Sequence, residues 1–257
     1  MEFQDLSRVL ALAVLASCSD STAPEPATGS DLVFEGYLTS TPELLAYDSS
    51  TAQVRRLLAL GAVVMDPEPS PDGSKIAFVV ANYTEGTGDI FIMSRDGTGV
   101  TQLTFDSELD DQPTWSPDGT RIAYASNEGG TFDIWTMNPN GSAKQRLSSS
   151  VDLDAEPAWS PDGTAIAFRR SFFGGGSDLF IVSPTGGEAR QLTLAGDQRL
   201  PVWTPDGARL VFVSQTSVSA RPDLYSMTPV GGDVRPLVTD EVAGGCINPA
   251  FLKRPIE

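Results

Sequence analysis

From residue 31 onward the apolar positions of this chain fall in short runs, and no stretch sustains the 3.6-residue rhythm of an amphipathic helix. The runs are rich in β-branched and aromatic residues and are bounded by Gly, Pro, Asn, Asp and Ser, which is the chemistry of strands joined by tight turns. The polar–apolar pattern therefore predicts an all-β chain.

The pattern also repeats. A Pro-Asp-Gly corner recurs at Pro71, Pro117, Pro161 and Pro205, at separations of 46, 44 and 44 residues. An apolar run ending in an aromatic keeps the same beat: Leu32-Val33-Phe34, Ile76-Ala77-Phe78, Ile122-Ala123-Tyr124, Ile166-Ala167-Phe168 and Leu210-Val211-Phe212. So do an acid opening the next run (Glu43, Asp89, Asp133, Asp178, Asp223) and a late leucine (Leu57, Leu103, Leu147, Leu192, Leu237). Each unit thus holds four short strands, and four strands in a repeat of this length predict a propeller blade.

The ends of the chain complement each other. The first strand of a unit carries Pro-x-aromatic at Pro113-Thr114-Trp115, Pro157-Ala158-Trp159 and Pro201-Val202-Trp203, and again in Pro249-Ala250-Phe251 near the C-terminus. The unit beginning at Asp31 lacks that strand, so the expected fold is a five-bladed β-propeller of four-stranded blades, closed by the C-terminal strand joining the N-terminal blade. The expected blades are residues 31–60 with 247–252, 61–106, 107–150, 151–196 and 197–242, within a propeller of residues 31–252 and followed by a tail of 253–257. Closure would remove the unpaired edges that template aggregation.

The segments "PTWSPDGTRIAYAS", "FDIWTM" and "PAWSPDGTAIAFRR" resemble the TolB-type propeller repeat, the Pro-Asp relative of the WD-type repeat. The resemblance runs from residue 31 to about 252 and implies the propeller fold and a cell-envelope setting. TolB proteins carry a six-bladed propeller behind an N-terminal domain, whereas the repeats here account for five blades. The resemblance carries no catalytic residue onto this chain, and fold alone does not fix function.

Residues 1–17 read as a lipoprotein-type signal peptide. Val9 to Ala16 is apolar but too short to span a bilayer, and Leu15-Ala16-Ser17-Cys18 has the form of a lipobox in which the Cys18 thiol accepts the lipid. Glu2 and Asp5 depart from the positive start that export signals prefer. Residues 18–30, polar and rich in Pro and Ala, read as a flexible tether holding the propeller about 20 Å from its lipid. Ser19 after Cys18 fits outer-membrane sorting in a Gram-negative cell, and the lipid would be the sole membrane attachment. Cys246, the one other cysteine, is left without a disulfide partner.

Charge and composition then narrow the function. The 34 acidic and 17 basic residues leave a net charge of −17, which opposes nucleic acid and anionic lipid surfaces. There is no histidine, so Ser-His-Asp and Cys-His nucleophiles, imidazole bases and His-bound zinc are all ruled out. No cofactor is implied. The corner aspartates Asp72, Asp118, Asp162 and Asp206 read as turn residues whose carboxylates take local N–H groups. In a radial fold they should lie far apart.

Binding residues are sought where the repeat varies. The loops "ANYTEGTG", "SFFGGGS" and "QTSVSARP" share one face with Tyr83, Phe172 and Phe173, and with Asp111, Glu156, Arg170 and Arg199. The residues before the first-strand prolines, Asp66, Gln112, Glu156, Leu200 and Asn248, should rim the tunnel, where oxygen ligands could take Ca²⁺. The expected function is a non-catalytic, monomeric, envelope-tethered module facing the periplasm or exterior and binding a protein or peptide partner. The alternative is a glycan-binding or glycan-cleaving propeller using carboxylates at its central cleft.

Overall fold

The computed structural model describes residues 31–37, 41–48, 51–82, 84–105, 107–192, 196–215 and 223–238. The lipobox with Cys18, Tyr83, Cys246, Asn248 and the expected closing strand at Pro249–Phe251 lie outside the described residues.

The described chain is all-β and folds as consecutive antiparallel units. The first holds β1 (Asp31–Gly36), β2 (Glu43–Asp48) and β3 (Gln53–Leu58). The second holds β4 (Val63–Pro69), β5 (Lys75–Asn82), β6 (Thr87–Ser94) and β7 (Thr101–Gln102). The third holds β8 (Asp110–Trp115), β9 (Ile122–Ser126), β10 (Asp133–Met137) and β11 (Gln145–Arg146). The fourth holds β12 (Leu153–Trp159), β13 (Ile166–Ser171), β14 (Ser177–Val182) and β15 (Arg190–Gln191). The fifth holds β16 (Asp197–Trp203), β17 (Leu210–Gln215), β18 (Asp223–Met227) and β19 (Arg235–Val238). Strands pair in sequence order inside each unit, and β4, β8, β12 and β16 pack one beside the next.

The apolar-Ala-aromatic run of the second strand explains how units stack. Side chains alternate across a strand, so Ile76 and Phe78 turn toward the preceding unit, where they meet Leu44, Ala46 and Leu57. Ala77 turns the other way, against Trp115, Ile122 and Tyr124 of the following unit. The same exchange places Ala123 with Ile166 and Phe168, and Ala167 with Leu210 and Phe212. The core is therefore a series of wedges between units, with a small residue facing a bulky one at each step. Truncating one of the buried aromatics, Phe78 or Phe168, would cost about 3–5 kcal/mol.

Polar contacts add to this packing. The Trp115 and Trp203 indole N–H groups each donate to a carbonyl of the preceding unit, Glu68 and Ala158, at 3.0 Å. At the outer edge Gly141 lies in the left-handed region (φ 79°), and a Cβ there would stand 2.6 Å from the Leu103 carbonyl oxygen.

The corners are self-contained turns. In the third unit Asp118 Oδ1 accepts from Ser116 Oγ at 2.6 Å and from the Thr120 N–H at 3.0 Å, and Gly119 takes a φ of 69°. Asp72, Asp162 and Asp206 repeat that arrangement, and the hydroxyl donors hold all four carboxyls below the usual carboxylate range. Neighbouring corners come closer than the radial argument expects: a Cβ on Gly163 would stand 3.3 Å from Pro117, and one on Gly207 3.7 Å from Pro161. The carboxylates nonetheless turn into their own loops.

Candidate functional site

One row of residues departs from regular strand geometry in every unit with a first strand. Met65 pairs with Val79 and Glu68 with Ala77, so Asp66 and Pro67 occupy the space of one residue. Gln112-Pro113, Glu156-Pro157 and Leu200-Pro201 form the same bulge. A proline has no N–H for the ladder, and a bulge is where a sheet tolerates one. The residue before each proline is forced into the left-handed region, with φ of 50° at Asp66, 55° at Gln112, 58° at Glu156 and 52° at Leu200.

The strained residues are tied together from unit to unit. Gln112 Oε1 accepts the Glu156 N–H at 2.7 Å, and Glu156 Oε2 accepts the Leu200 N–H at 2.6 Å. Asp66 donates its N–H to Glu35 at 3.3 Å, and the Gln112 N–H goes to Asp111 Oδ1 at 2.8 Å. Glu156 Oε1 also meets Arg169 Nε at 3.0 Å, an ion pair whose N–H is not aligned for a hydrogen bond. Of the expected tunnel-rim residues, Gln112, Glu156 and Leu200 thus form one connected row. Their oxygens point at neighbouring backbone and at Arg169, not at a shared centre. Among the described residues no three His, Cys, Asp or Glu side chains group as metal ligands.

Beside this row lie the charged residues of the loop face. Arg199 pairs with Asp197, keeps 43% of its side chain exposed and donates to Gln215 Oε1 at 3.2 Å. Burial pushes the Asp197 carboxyl up, but hydrogen bonds from Ser177 and Arg199 and the charges of Arg199 and Arg169 outweigh it and leave the group depressed. Arg170 behaves differently. It forms a two-pronged pair with buried Asp154 at 2.6 and 2.8 Å and stacks 4.4 Å from the Phe180 ring centroid. That hydrogen bonding raises its pKa. The expectation that Arg170 meets a ligand is therefore corrected: its guanidinium is committed to Asp154 and two rings inside the fourth unit.

The two adjacent phenylalanines also separate. Phe172 packs on the core wedge, with its ring edge-on to Phe180 at 6.5 Å, whereas Phe173 is 80% exposed. Next to it Val151 is 78% exposed, a residue for which a lone valine in a polar loop offers no periodic signal. Acids opening the third strands are held by the outermost strand of their own unit: Arg56 reaches Glu43 at 2.6 Å, Gln191 reaches Asp178 at 2.5 Å, and Arg146 pairs with Asp133. Burial pushes the Asp133 carboxyl up, against the pull of Arg146. Asp133 and Asp154 are both closed to solvent and each bound by an arginine, so neither can reach a substrate. The arrangement on this face offers directed hydrogen bonds, one half-exposed cation and exposed apolar side chains. That inventory suits binding.

Comparison with known proteins places this geometry in a family. Residues 13–171 match the PD40 family, the TolB beta propeller domain, and the chain belongs to it. The Tol-Pal system protein TolB of Anaeromyxobacter dehalogenans (strain 2CP-C) is 40% identical over 93 residues, 34% of this chain and 19% of that protein. Dipeptidyl-peptidase 5 of Porphyromonas gingivalis is 36% identical over 64 residues, 23% of this chain and 9% of that protein. Among solved structures, TolB from Acinetobacter baumannii superposes with a TM-score of 0.67 at 24% identity, covering 80% of this chain and 53% of that one. An oligogalacturonate lyase from Vibrio parahaemolyticus gives 0.61 at 14% identity, covering 82% and 63%. The match spans about a fifth of the TolB protein from Anaeromyxobacter, and likeness at these structural identities speaks for the fold alone.

Proposed function

We propose that this TolB-family propeller is a non-catalytic binding module of the cell envelope, taking a protein or peptide partner on its loop face at the row of bulges. The observation that carries the reading is the contrast between repeated and unrepeated polar groups. The repeated ones, the corner aspartates and the third-strand acids Glu43, Asp133 and Asp178, are engaged inside their own units. The unrepeated ones, Arg199, Asp197 and Glu156, collect on one end beside the apolar Leu200 and keep exposed surface. Backbone held in a disfavoured region midway along the first strands of consecutive units is the kind of strain that gathers at binding sites. The lack of histidine in the sequence and the engagement of the buried carboxylates favour binding over catalysis.

In the same reading the propeller has five blades. Pro249–Phe251 pairs with the inner edge of β1, Cys18 carries a lipid and the disc faces the periplasm or the exterior. Resemblance to TolB proteins supports the envelope location.

The test is affinity capture from detergent-solubilised envelopes with the full chain as bait, run beside a double variant, Arg199→Ala with Leu200→Asn. Asparagine tolerates the left-handed backbone that Leu200 strains to hold, so the variant removes the apolar side chain and the cation without loading the fold. A polypeptide retained by the native bait and lost from the variant supports the reading. Retention by both baits would remove the site from this row, and capture of polysaccharide with no polypeptide would replace the reading by glycan binding.

A further inference from the structure

We propose that Phe173 and Val151 form the anchor for a basic peptide segment bearing an apolar side chain, at a place on the loop face separate from the row of bulges. The inference rests on the reading above that this face binds a polypeptide, and it specifies the chemistry of the partner.

Three observations carry it. Phe173 and Val151 are 80% and 78% exposed, and the Phe173 N–H donates to Asp152 Oδ1 at 3.2 Å, which ties the segment carrying Val151 to the loop carrying Phe173. A phenylalanine left in water forgoes the free energy that burial of its ring would gain, and among the described residues nothing covers either side chain.

The backbone that presents the ring is closed on itself. Its hairpin loop is closed by hydrogen bonds from the Phe172 N–H to the Gly176 carbonyl at 3.1 Å and from the Gly175 N–H to the Phe172 carbonyl at 2.9 Å. Phe172 braces the loop from inside, edge-on to Phe180. Gly175 and Gly176 hold φ of 92° and 81°, and a Cβ on Gly176 would stand 2.9 Å from the Gly196 carbonyl oxygen. An aromatic presented on a closed loop loses little freedom when a partner arrives, which is how binding hot spots keep their affinity.

The third observation is electrostatic. The charged groups coupled beneath the loop are Asp133, Asp152, Asp154, Arg146 and Arg170. Arg146 and Arg170 are taken up by Asp133 and Asp154, and the Asp152 carboxylate lies against the Phe173 backbone within a chain of net charge −17. An acidic partner would be repelled. A lysine or arginine would be drawn to Asp152 and could lie over the Phe173 face, while a neighbouring apolar side chain covers Val151.

A library of random linear peptides displayed on phage and panned against the full chain tests this without presuming a sequence. The expected enrichment is for peptides pairing Lys or Arg with a large apolar residue. A synthetic copy of an enriched peptide should lose about tenfold in affinity against Phe173→Ala and a few-fold against Val151→Ala or Asp152→Asn. Binding should also weaken in high salt. Both Phe173 and Val151 project from the fold, so their truncation leaves the core intact. Enriched peptides without positive charge, or peptides that bind Phe173→Ala as well as the native chain, would overturn the inference. If their binding falls only with Arg199→Ala and Leu200→Asn, the polypeptide-binding reading stands and this anchor does not. Failure of any peptide to enrich would count against both.

Discussion

The Leu200 N–H donates to Glu156 Oε2 at 2.6 Å across the boundary between the fourth and fifth units. The contact joins a strained donor to a charged acceptor: Leu200 sits at a φ of 52°, where a γ-branched residue has no local reason to be, and Glu156 is itself steadied by Arg169. The strain in one unit's first strand is thus offset by a side chain of the preceding unit.

Two substitutions should separate those contributions. Leu200→Asn keeps the N–H and relieves the backbone, and should stabilise the chain by about 1 kcal/mol. Glu156→Ala removes the acceptor and leaves Arg169 without its carboxylate, and should cost about 2–3 kcal/mol. Urea unfolding with a shared slope would check both; a shift of opposite sign in each, larger for Glu156→Ala, is the outcome to look for.

Asp154 and Arg170 should be unequal to their separate parts. Asp154 is fully buried and Arg170 is only 14% exposed. Removing one partner leaves a buried charge, so Asp154→Ala should cost about 3–5 kcal/mol, whereas Asp154→Leu combined with Arg170→Met should recover most of that loss. A double-mutant cycle in denaturant measures the coupling. A near-zero coupling would mean that water reaches the pair.

Glycines offer a comparison of conformation with crowding. Gly61 and Gly141 both lie in the left-handed region, at φ of 69° and 79°. A Cβ on Gly61 meets open space, but on Gly141 it collides with the Leu103 backbone. Gly61→Ala should therefore cost only the backbone term, about 1 kcal/mol, and Gly141→Ala at least about 2 kcal/mol. Thermal melts of the two variants would rank them.

Acid should unfold the chain through its turns. Asp72, Asp118, Asp162 and Asp206 are depressed chiefly by side-chain hydroxyl donors, Ser70, Ser116, Ser160 and Thr204. A depressed carboxyl contributes stability that is complete above its unfolded value of 3.8 and is lost as the pH falls through its native value. Asp133 acts in the opposite sense, because burial penalises its charged form and protonation lifts that penalty. The depressed groups outnumber it, so stability should fall below about pH 4. Ser116→Ala should flatten that fall, measured as denaturation midpoint against pH.

Much of the fold is legible in the order of residues because each strand's alternation is a local property. Ile76-Ala77-Phe78 tells, without coordinates, that one face is bulky and the other small, and the structure puts those faces on successive units. The corner is legible for the same reason: Ser116, Asp118 and Thr120 satisfy one another within a few residues. The expected closing strand and the expected lipidation site lie outside the described residues.

The site was less legible because its decisive contacts join residues about one repeat apart. Nothing in the sequence distinguishes Phe172 from Phe173, or Arg170 from Arg199. Packing against Phe180 buries the first of each pair, and its absence leaves the second exposed. The left-handed row at Gln112, Glu156 and Leu200 was equally hidden: proline marks where the ladder must break, but only the neighbouring unit supplies the acceptors that hold the broken backbone. Local periodicity determined the strands, the turns and the two faces of each sheet. Tertiary contact, within a unit as at Phe180 and between units as at Glu156, decided which polar and aromatic side chains were left exposed, since burial depends on what packs alongside and not on what precedes in the chain.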